Sequence, residues 1–171
     1  MATTLAEIAE QLKELEILYS AEEKRILLSF ATDLYADSDA ERGVTLVLWL
    51  EEDGEFLRVH ARGAYTIPAE ASTEVRYAVL RTIAQLNWES KVTQYEVDWN
   101  DGEIRVMADL PLEDAKPTLR QLERHIRSLP TMLDQGHHAI RDALDHGIPM
   151  PTEAEIERRF DAYLRELLPE A

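Results

Sequence analysis

The sequence predicts an α+β fold in which helices pack on an antiparallel sheet. Two segments have the pattern of β-hairpins with Asp-Gly turns at residues 53–54 and 101–102, because glycine accommodates the positive φ of a two-residue turn. Apolar residues at three- and four-residue spacing predict helices before, between and after these hairpins. The predicted order is helix, strand, hairpin, helix, hairpin and long helix, with an extra C-terminal helix.

The first two elements are predicted to be a helix and a strand. Thr4 and Glu7 have the spacing of a capping box, so the helix is expected from Thr4 to Leu18. Its apolar residues recur on one side: Leu5, Ile8, Leu12 and Leu15. The apolar and aromatic stretch at 25–34 then predicts a strand, while the alternative is that residues 20–34 extend the first helix.

The first hairpin is predicted between Val44 and Arg62. With Asp53-Gly54 as its turn, one face is aliphatic and carries Leu46, Leu48, Leu50, Leu57, Val59 and Ala61. The other face pairs Trp49 with Arg58, Val47 with His60 and Thr45 with Arg62. Because this second face is half apolar and half cationic, either a later segment or a partner is expected to cover it.

A middle helix is predicted from Ala69 to Leu86, and it is apolar on two sides. One stripe consists of Val75, Val79, Ile83 and Leu86. The second stripe consists of Tyr77, Leu80, Ala84 and Trp88. A helix of this kind is usually buried between two layers, so the second stripe becomes a dimer surface if the monomer supplies only one layer.

The second hairpin is predicted to turn at Asp101-Gly102. This register places Trp99 opposite Ile104, Val97 opposite Val106 and Tyr95 opposite Ala108 on the buried face. It places Asp98 opposite Arg105 on the solvated face. The hairpin therefore has one buried side and one wet side.

Two helices complete the chain. A capping box of Thr118 and Gln121 starts a long helix that ends at Gly147, and Thr152 starts a last one. The apolar face of the last helix consists of Ile156, Phe160, Leu164 and Leu167. We therefore expect one domain over residues 1–147 and a helical extension over residues 148–171, which either folds back or reaches across to a neighbour.

Composition excludes several classes of protein. The chain of 171 residues has a net charge of −16, which disfavours nucleic-acid and anionic-membrane binders, and it has no cysteine for disulfide or thiol chemistry. No signal-peptide pattern or membrane-spanning apolar run is present, so a cytoplasmic location and no membrane partner are expected. Neither a nucleophile elbow nor a phosphate-binding glycine motif occurs, and neither a cofactor nor a catalytic residue is predicted.

Two weaker patterns could still carry chemistry. Four residues on one side of the long helix could bind a divalent metal, although a solvated polar face is the simpler explanation: Asp134, His138, Asp142 and His146. The cationic row beside Trp49 could contact nucleic acid, although arginine stems that cover apolar surface are the simpler explanation: Arg58, His60 and Arg62.

Three stretches carry a family resemblance. They are the strands VTLVLWLEEDGEFLRVHARGAY, the pair Asn87-Trp88, and the hairpin YEVDWNDGEIRVMADLPLED with the helix after it. From Thr4 to Leu144 the chain resembles the YbjN family of bacterial proteins, labelled as sensory transduction regulators. That family is similar in fold to type III secretion chaperones, which are homodimers. The resemblance implies the order α-β-β-β-α-β-β-α, with the last helix as a departure from it.

The resemblance also implies a function. It implies a non-enzymatic homodimeric protein-binding module, acting as a chaperone-like or regulatory adaptor for another protein, with no catalytic residue carried over. The implied dimer contact consists of Tyr77, Leu80, Ala84 and Trp88. The implied partner contact consists of Leu12, Leu15, Val47, Trp49 and Arg58. The alternatives are a metal-binding protein or enzyme using the Asp134 face, and a factor associated with nucleic-acid-processing proteins.

Overall fold

The computed structural model describes residues 2–36 and 41–167, so the last four residues of the predicted C-terminal extension lie outside the described residues. The helices are α1 (Leu5–Glu14), α2 (Thr73–Glu89), α3 (Leu119–His146) and α4 (Glu153–Leu167). The strands are β1 (Tyr19–Ala21), β2 (Ile26–Ala31), β3 (Gly43–Glu51), β4 (Phe56–Thr66), β5 (Gln94–Val97) and β6 (Glu103–Pro111). Within these ranges no helix is long and apolar enough to span a membrane.

The strands of the described chain form one antiparallel sheet in the order β1-β2-β3-β4-β6-β5. The predicted α+β class is therefore confirmed. The strand interpretation of residues 25–34 is also confirmed, by β2, and the sheet gains one strand, β1, that was not predicted. The helix α1 ends at Glu14 rather than at Leu18, because Glu16 has a φ of 55°, which is incompatible with a right-handed helix. The early end of the helix leaves the following residues free to form β1.

A single core lies between one face of the sheet and the first three helices. Alternate strand residues point into it, as the pleat requires, and they meet the inner sides of α1, α2 and α3. Its fully buried large side chains include Ile8, Leu12, Leu28, Leu46, Leu48, Leu57, Ile104, Leu122 and Ile126. The intervening strand residues point to the opposite face, which none of these three helices covers.

The first hairpin has the predicted register. Leu48 pairs with Val59 and Leu50 with Leu57, and a short 3-10 turn at Glu52–Gly54 joins the two strands. The second hairpin has a different register from the predicted one, because Val97 rather than Trp99 pairs with Ile104. The shift is two residues, so each side chain keeps its face, and Glu96 rather than Asp98 now pairs with Arg105. The predicted contact of Trp99 is wrong, since this side chain lies exposed in the turn.

The long helix is the longest element, and its predicted ends are confirmed. Thr118 and Gln121 form the capping box, and Gly147 adopts the left-handed conformation that closes the last turn. Beyond it, α4 has no buried residue between Glu153 and Leu167. The division into a domain at 1–147 and an extension at 148–171 stays a prediction.

Candidate functional site

The open sheet face is the side of the sheet away from the first three helices. It is defined here by Leu27, Val47, Trp49, Arg58, His60, Met107 and Asp109. Strand pairing aligns these residues in two rows across the sheet. One row runs Leu27, Val47, His60 and Met107, and the other runs Trp49, Arg58 and Asp109. The face thus alternates an apolar row with a charged one.

Arg58 holds the charged row together. Its guanidinium donates to both carboxylate oxygens of Asp109, at 2.9 and 3.2 Å, and lies 5.7 Å from the centre of the Trp49 ring. Glu51 accepts a hydrogen bond from the Trp49 indole at 2.8 Å and contacts Arg58 at 3.5 Å. The hydrogen bonds to Asp109 raise the pKa of Arg58. Because two carboxylates already engage this cation, the geometry disfavours an anion or nucleic-acid site here.

His60 belongs to the apolar row, next to this charged row. The residue is only 2% exposed, and its ring packs edge-on against Trp49, with ring centres 4.5 Å apart. Within the described chain neither ring nitrogen has a hydrogen-bond partner, and Asp109 Oδ1 is 3.8 Å from Nε2, which is too far. Burial, together with the nearby Arg58 and Arg105, lowers the pKa of His60 to about 4. The ring is therefore neutral at pH 7.

We expect His60 to make the protein less stable as the pH falls from 7 to 4.5. In the unfolded protein the His60 side chain takes up a proton around the ordinary histidine pKa of 6.5. In the folded protein it stays mostly neutral over this pH range. The free energy of unfolding should therefore drop by about 2 kcal/mol through this group alone. Urea denaturation at the two pH values measures the drop.

The matched comparison is His60→Leu against His146→Leu, which replaces an exposed histidine. His60→Leu should remove its own share of about 2 kcal/mol. What remains should come from His137, whose pKa burial lowers, and from glutamates such as Glu7 and Glu155, whose pKa hydrogen bonds lower in the folded protein. The drop measured in His146→Leu is the reference against which the drop in His60→Leu is compared. An unaltered drop in His60→Leu would show that the folded protein takes up this proton.

The predicted partner residues separate into two groups. Val47, Trp49 and Arg58 lie half-buried on the open sheet face. Leu12 is fully buried in the core, so the prediction that it contacts a partner is wrong. Leu15 is half-buried and packs against that core, and its contact with a partner stays a prediction. The apolar stripe of α1 does pack on a sheet, but that sheet is its own.

The predicted dimer residues do form an exposed row along α2. This row, Tyr77, Leu80, Ala84 and Trp88, is called the α2 stripe below. Tyr77 is 62% exposed, Leu80 41% and Trp88 85%, and Ala84 is exposed as well. The other side of α2, with Val79, Ile83 and Leu86, is buried in the core. The structure thus supplies one layer for this helix and leaves its second apolar side without cover.

Asp134, the first residue of the predicted metal-binding face, forms structural hydrogen bonds. Asp134 accepts backbone N–H groups of Asp33, Leu34 and Tyr35 at 2.8 to 3.0 Å. Over residues 2–36 and 41–167 no group of three His, Cys, Asp or Glu side chains is arranged to hold a metal ion. Asp134 instead fixes the segment that follows β2 onto α3.

Sequence reasoning did not single out a cleft of about 770 Å³ between α3 and the Ser90–Thr93 loop. Its apolar wall includes Leu86, Met132 and Met150, and its rim carries the basic residues Lys91, Arg124 and Arg127. The hydroxyl groups along it already bond within the protein: Ser90, Thr93, Ser128 and Thr131. No buried, unbonded polar group of the described chain points into the cleft, so nothing in it selects a particular ligand.

Comparisons with known proteins bear on the family and the fold. Residues 4–142 match the profile of the YbjN family, described as "Putative bacterial sensory transduction regulator". The crystal structure of YbjN from E. coli, "a putative transcription regulator", superposes with a TM-score of 0.58 at 14% identity, covering 88% of this chain and 98% of that one. The ExsC-ExsE complex gives a TM-score of 0.48 at 19% identity, covering 82% and 96%. No curated protein sequence matches the chain.

Proposed function

The chain belongs to the YbjN family, and from that membership we propose that it is a non-enzymatic homodimeric module that binds another protein as a chaperone-like or regulatory adaptor. Regulation by a protein without a catalytic centre requires contact with a partner. The surface that offers such a contact is the open sheet face. The α2 stripe offers a separate surface for the second copy.

The observation that carries the proposal is the composition of the open sheet face. Leu27, Val47 and Trp49 lie half-buried on adjacent strands, around a histidine that is buried and neutral. The charges beside them are already paired, as the contacts of Arg58 show. A partner can therefore cover this face without burying an unpaired charge, which is the main energetic obstacle to association of charged surfaces.

The shape of this face favours an extended segment of the partner. Side chains of an extended chain point alternately to either side, so every second residue can rest on the sheet. Such a segment would place apolar side chains on the row of Leu27 and Val47, and on the Trp49 ring. The proposed partner surface thus keeps Val47, Trp49 and Arg58 from the sequence and replaces Leu12 by Leu27.

Affinity capture from the native cell tests this proposal. We expect Val47→Asp to reduce the captured partner at least about 30-fold, because it buries an unpaired carboxylate at the centre of the contact. The matched control is Ala6→Asp, which adds the same charge at an exposed position on α1, on the other side of the sheet. Each variant is first checked for an unchanged unfolding midpoint.

The site of contact is read by cross-linking the captured complex and locating the linked residues by mass spectrometry. Links from the partner to residues around β3 and β4 are expected. Equal capture by the Val47→Asp variant and the wild-type protein, with links elsewhere, would move the partner to another surface. A partner that the protein chemically alters would contradict the non-enzymatic part of the proposal.

A further inference from the structure

The last helix has an apolar side that is exposed. Five residues of α4 lie on one side of the helix, at spacings of three, four, seven and eight: Ile156, Phe160, Tyr163, Leu164 and Leu167. Their side chains are 37% to 59% exposed. Isolated helices shorter than about 12 to 15 residues are marginal in water, and an amphipathic helix in a protein gains most of its stability from packing its apolar side on a surface.

The base of α4 is fixed to the middle of α2. The Thr82 hydroxyl, which is buried, accepts the backbone N–H of Met150 at 2.9 Å. Arg81 forms a half-buried ion pair with Glu155 in the first turn of α4, and Glu155 also caps that turn by accepting the N–H of Thr152 at 2.8 Å. Arg81 is the neighbour of Leu80 in sequence, so α4 starts beside the α2 stripe.

The two apolar sides nevertheless do not cover each other within one chain. All five α4 residues are exposed, and so is the whole α2 stripe. Their dimensions match, because Tyr77 to Trp88 and Ile156 to Leu167 each span twelve residues, or roughly 16 Å along a helix axis. Because α4 begins beside the α2 stripe of its own chain but does not cover it, α4 is positioned to cover the α2 stripe of another molecule.

A second copy of this chain supplies that stripe. On the basis of the proposed homodimer, we propose that α4 is an exchanged arm, which packs its apolar side on the α2 stripe of the partner copy while the partner's arm does the same in return. Both unmatched surfaces are then buried by one two-fold contact, and the assembly closes at two copies.

The available area is sufficient for this contact. Nine large apolar side chains are exposed on α2, on α4 and on the segment between α3 and α4: Tyr77, Leu80, Trp88, Ile148, Ile156, Phe160, Tyr163, Leu164 and Leu167. Together they expose on the order of 1,000 Å² per chain, while each side of a standard stable interface buries roughly 800 Å². The helix lies beyond residues 4–142, the part that matches the family, so the arm is a feature of this chain in addition to its family domain.

Full-length variants test the arm by sedimentation equilibrium over a range of concentrations. The unmodified chain of 19.6 kDa should give twice its mass. Phe160→Asp and Leu80→Asp should each raise the dimer dissociation constant at least about 30-fold, as for a central interface residue. Ala162→Asp adds the same charge to the opposite side of α4 and should change the constant less than about twofold.

A chain without cysteine also permits a direct test of exchange. Ala84→Cys is made in one tagged preparation and Tyr163→Cys in a second with a different tag, and the two are mixed and treated with a short bismaleimide. A product that carries both tags supports the arm. If Phe160→Asp leaves the dimer intact while Leu80→Asp breaks it, the arm is wrong and the homodimer stands. If the unmodified chain is a monomer, both are wrong, while the capture experiment still tests partner binding by itself.

Discussion

Replacing Gly54 with alanine is expected to destabilise the protein by about 4 kcal/mol. Gly54 closes the first hairpin with a φ of +100°, outside the left-handed region that other residues tolerate. A Cβ atom there would lie 2.1 Å from the carbonyl oxygen of Thr3. The buried Thr3 would have to move, which would also break its 3.1 Å hydrogen bond to the Gly54 carbonyl and displace the residue before the α1 cap.

Gly63→Ala is the matched control for this substitution. Gly63 also has a positive φ, of +60°, but a Cβ atom there would have no neighbour within 4 Å. Its replacement should therefore cost only the backbone strain, about 1 kcal/mol. Urea denaturation of the two variants measures the difference, and equal losses in the two would show that Thr3 yields to a Cβ at no cost.

The two Asp-Gly turns illustrate what a local pattern does and does not predict. Both were expected from the conformational freedom of glycine, and both glycines have positive φ. Each turn also bonds to a segment distant in sequence. The Gly54 carbonyl accepts the N–H of Thr3, and the Gly102 carbonyl accepts the N–H of Ile67 at 2.9 Å. The turn pattern is local and could be predicted, whereas the segment that packs on it is set by the tertiary fold.

The registers of the two hairpins show a second limit of prediction from a local pattern. Alternation of apolar and polar residues excludes a shift of one residue but not of two, since a shift of two returns each side chain to its face. In the second hairpin the Asp98 side chain accepts the N–H of Asn100 at 2.8 Å, and the Asp98 N–H donates to Glu103. These local bonds lengthen the turn and move Trp99 out of the strand. The buried face was therefore predictable, and the individual pairs were not.

The candidate site shows the same limit. Alternation placed Val47, Trp49 and Arg58 on a face separate from the core, and the structure agrees. The pattern of α1 indicated that Leu12 is covered, but amphipathicity does not reveal whether its own sheet or a partner covers it. The sequence did not assign Leu27 to the open sheet face, because β2 carries apolar residues on both of its sides.

Replacing Asp134 with alanine is expected to lower the free energy of unfolding by about 3 kcal/mol. Its two carboxylate oxygens accept three consecutive backbone N–H groups, those of Asp33, Leu34 and Tyr35. Without them the segment after β2 loses its attachment to α3, and the buried Tyr35 loses an acceptor for its backbone. Asp142→Ala removes an exposed carboxylate two turns further along α3 and should cost less than about 0.5 kcal/mol.

The pH dependence of this loss separates a structural carboxylate from a metal ligand. Burial raises the pKa of Asp134, but the three N–H donors outweigh it, so the pKa lies below the ordinary value of 3.8. A carboxyl with a lowered pKa stabilises the fold above that ordinary value and ceases to do so as the pH falls through its folded-state pKa. The difference in stability between wild-type protein and Asp134→Ala should thus be constant from pH 7 to about 5 and shrink below about 3.8. If zinc or manganese raised the melting temperature of the wild-type protein but not of Asp134→Ala, the carboxylate would be a metal ligand instead.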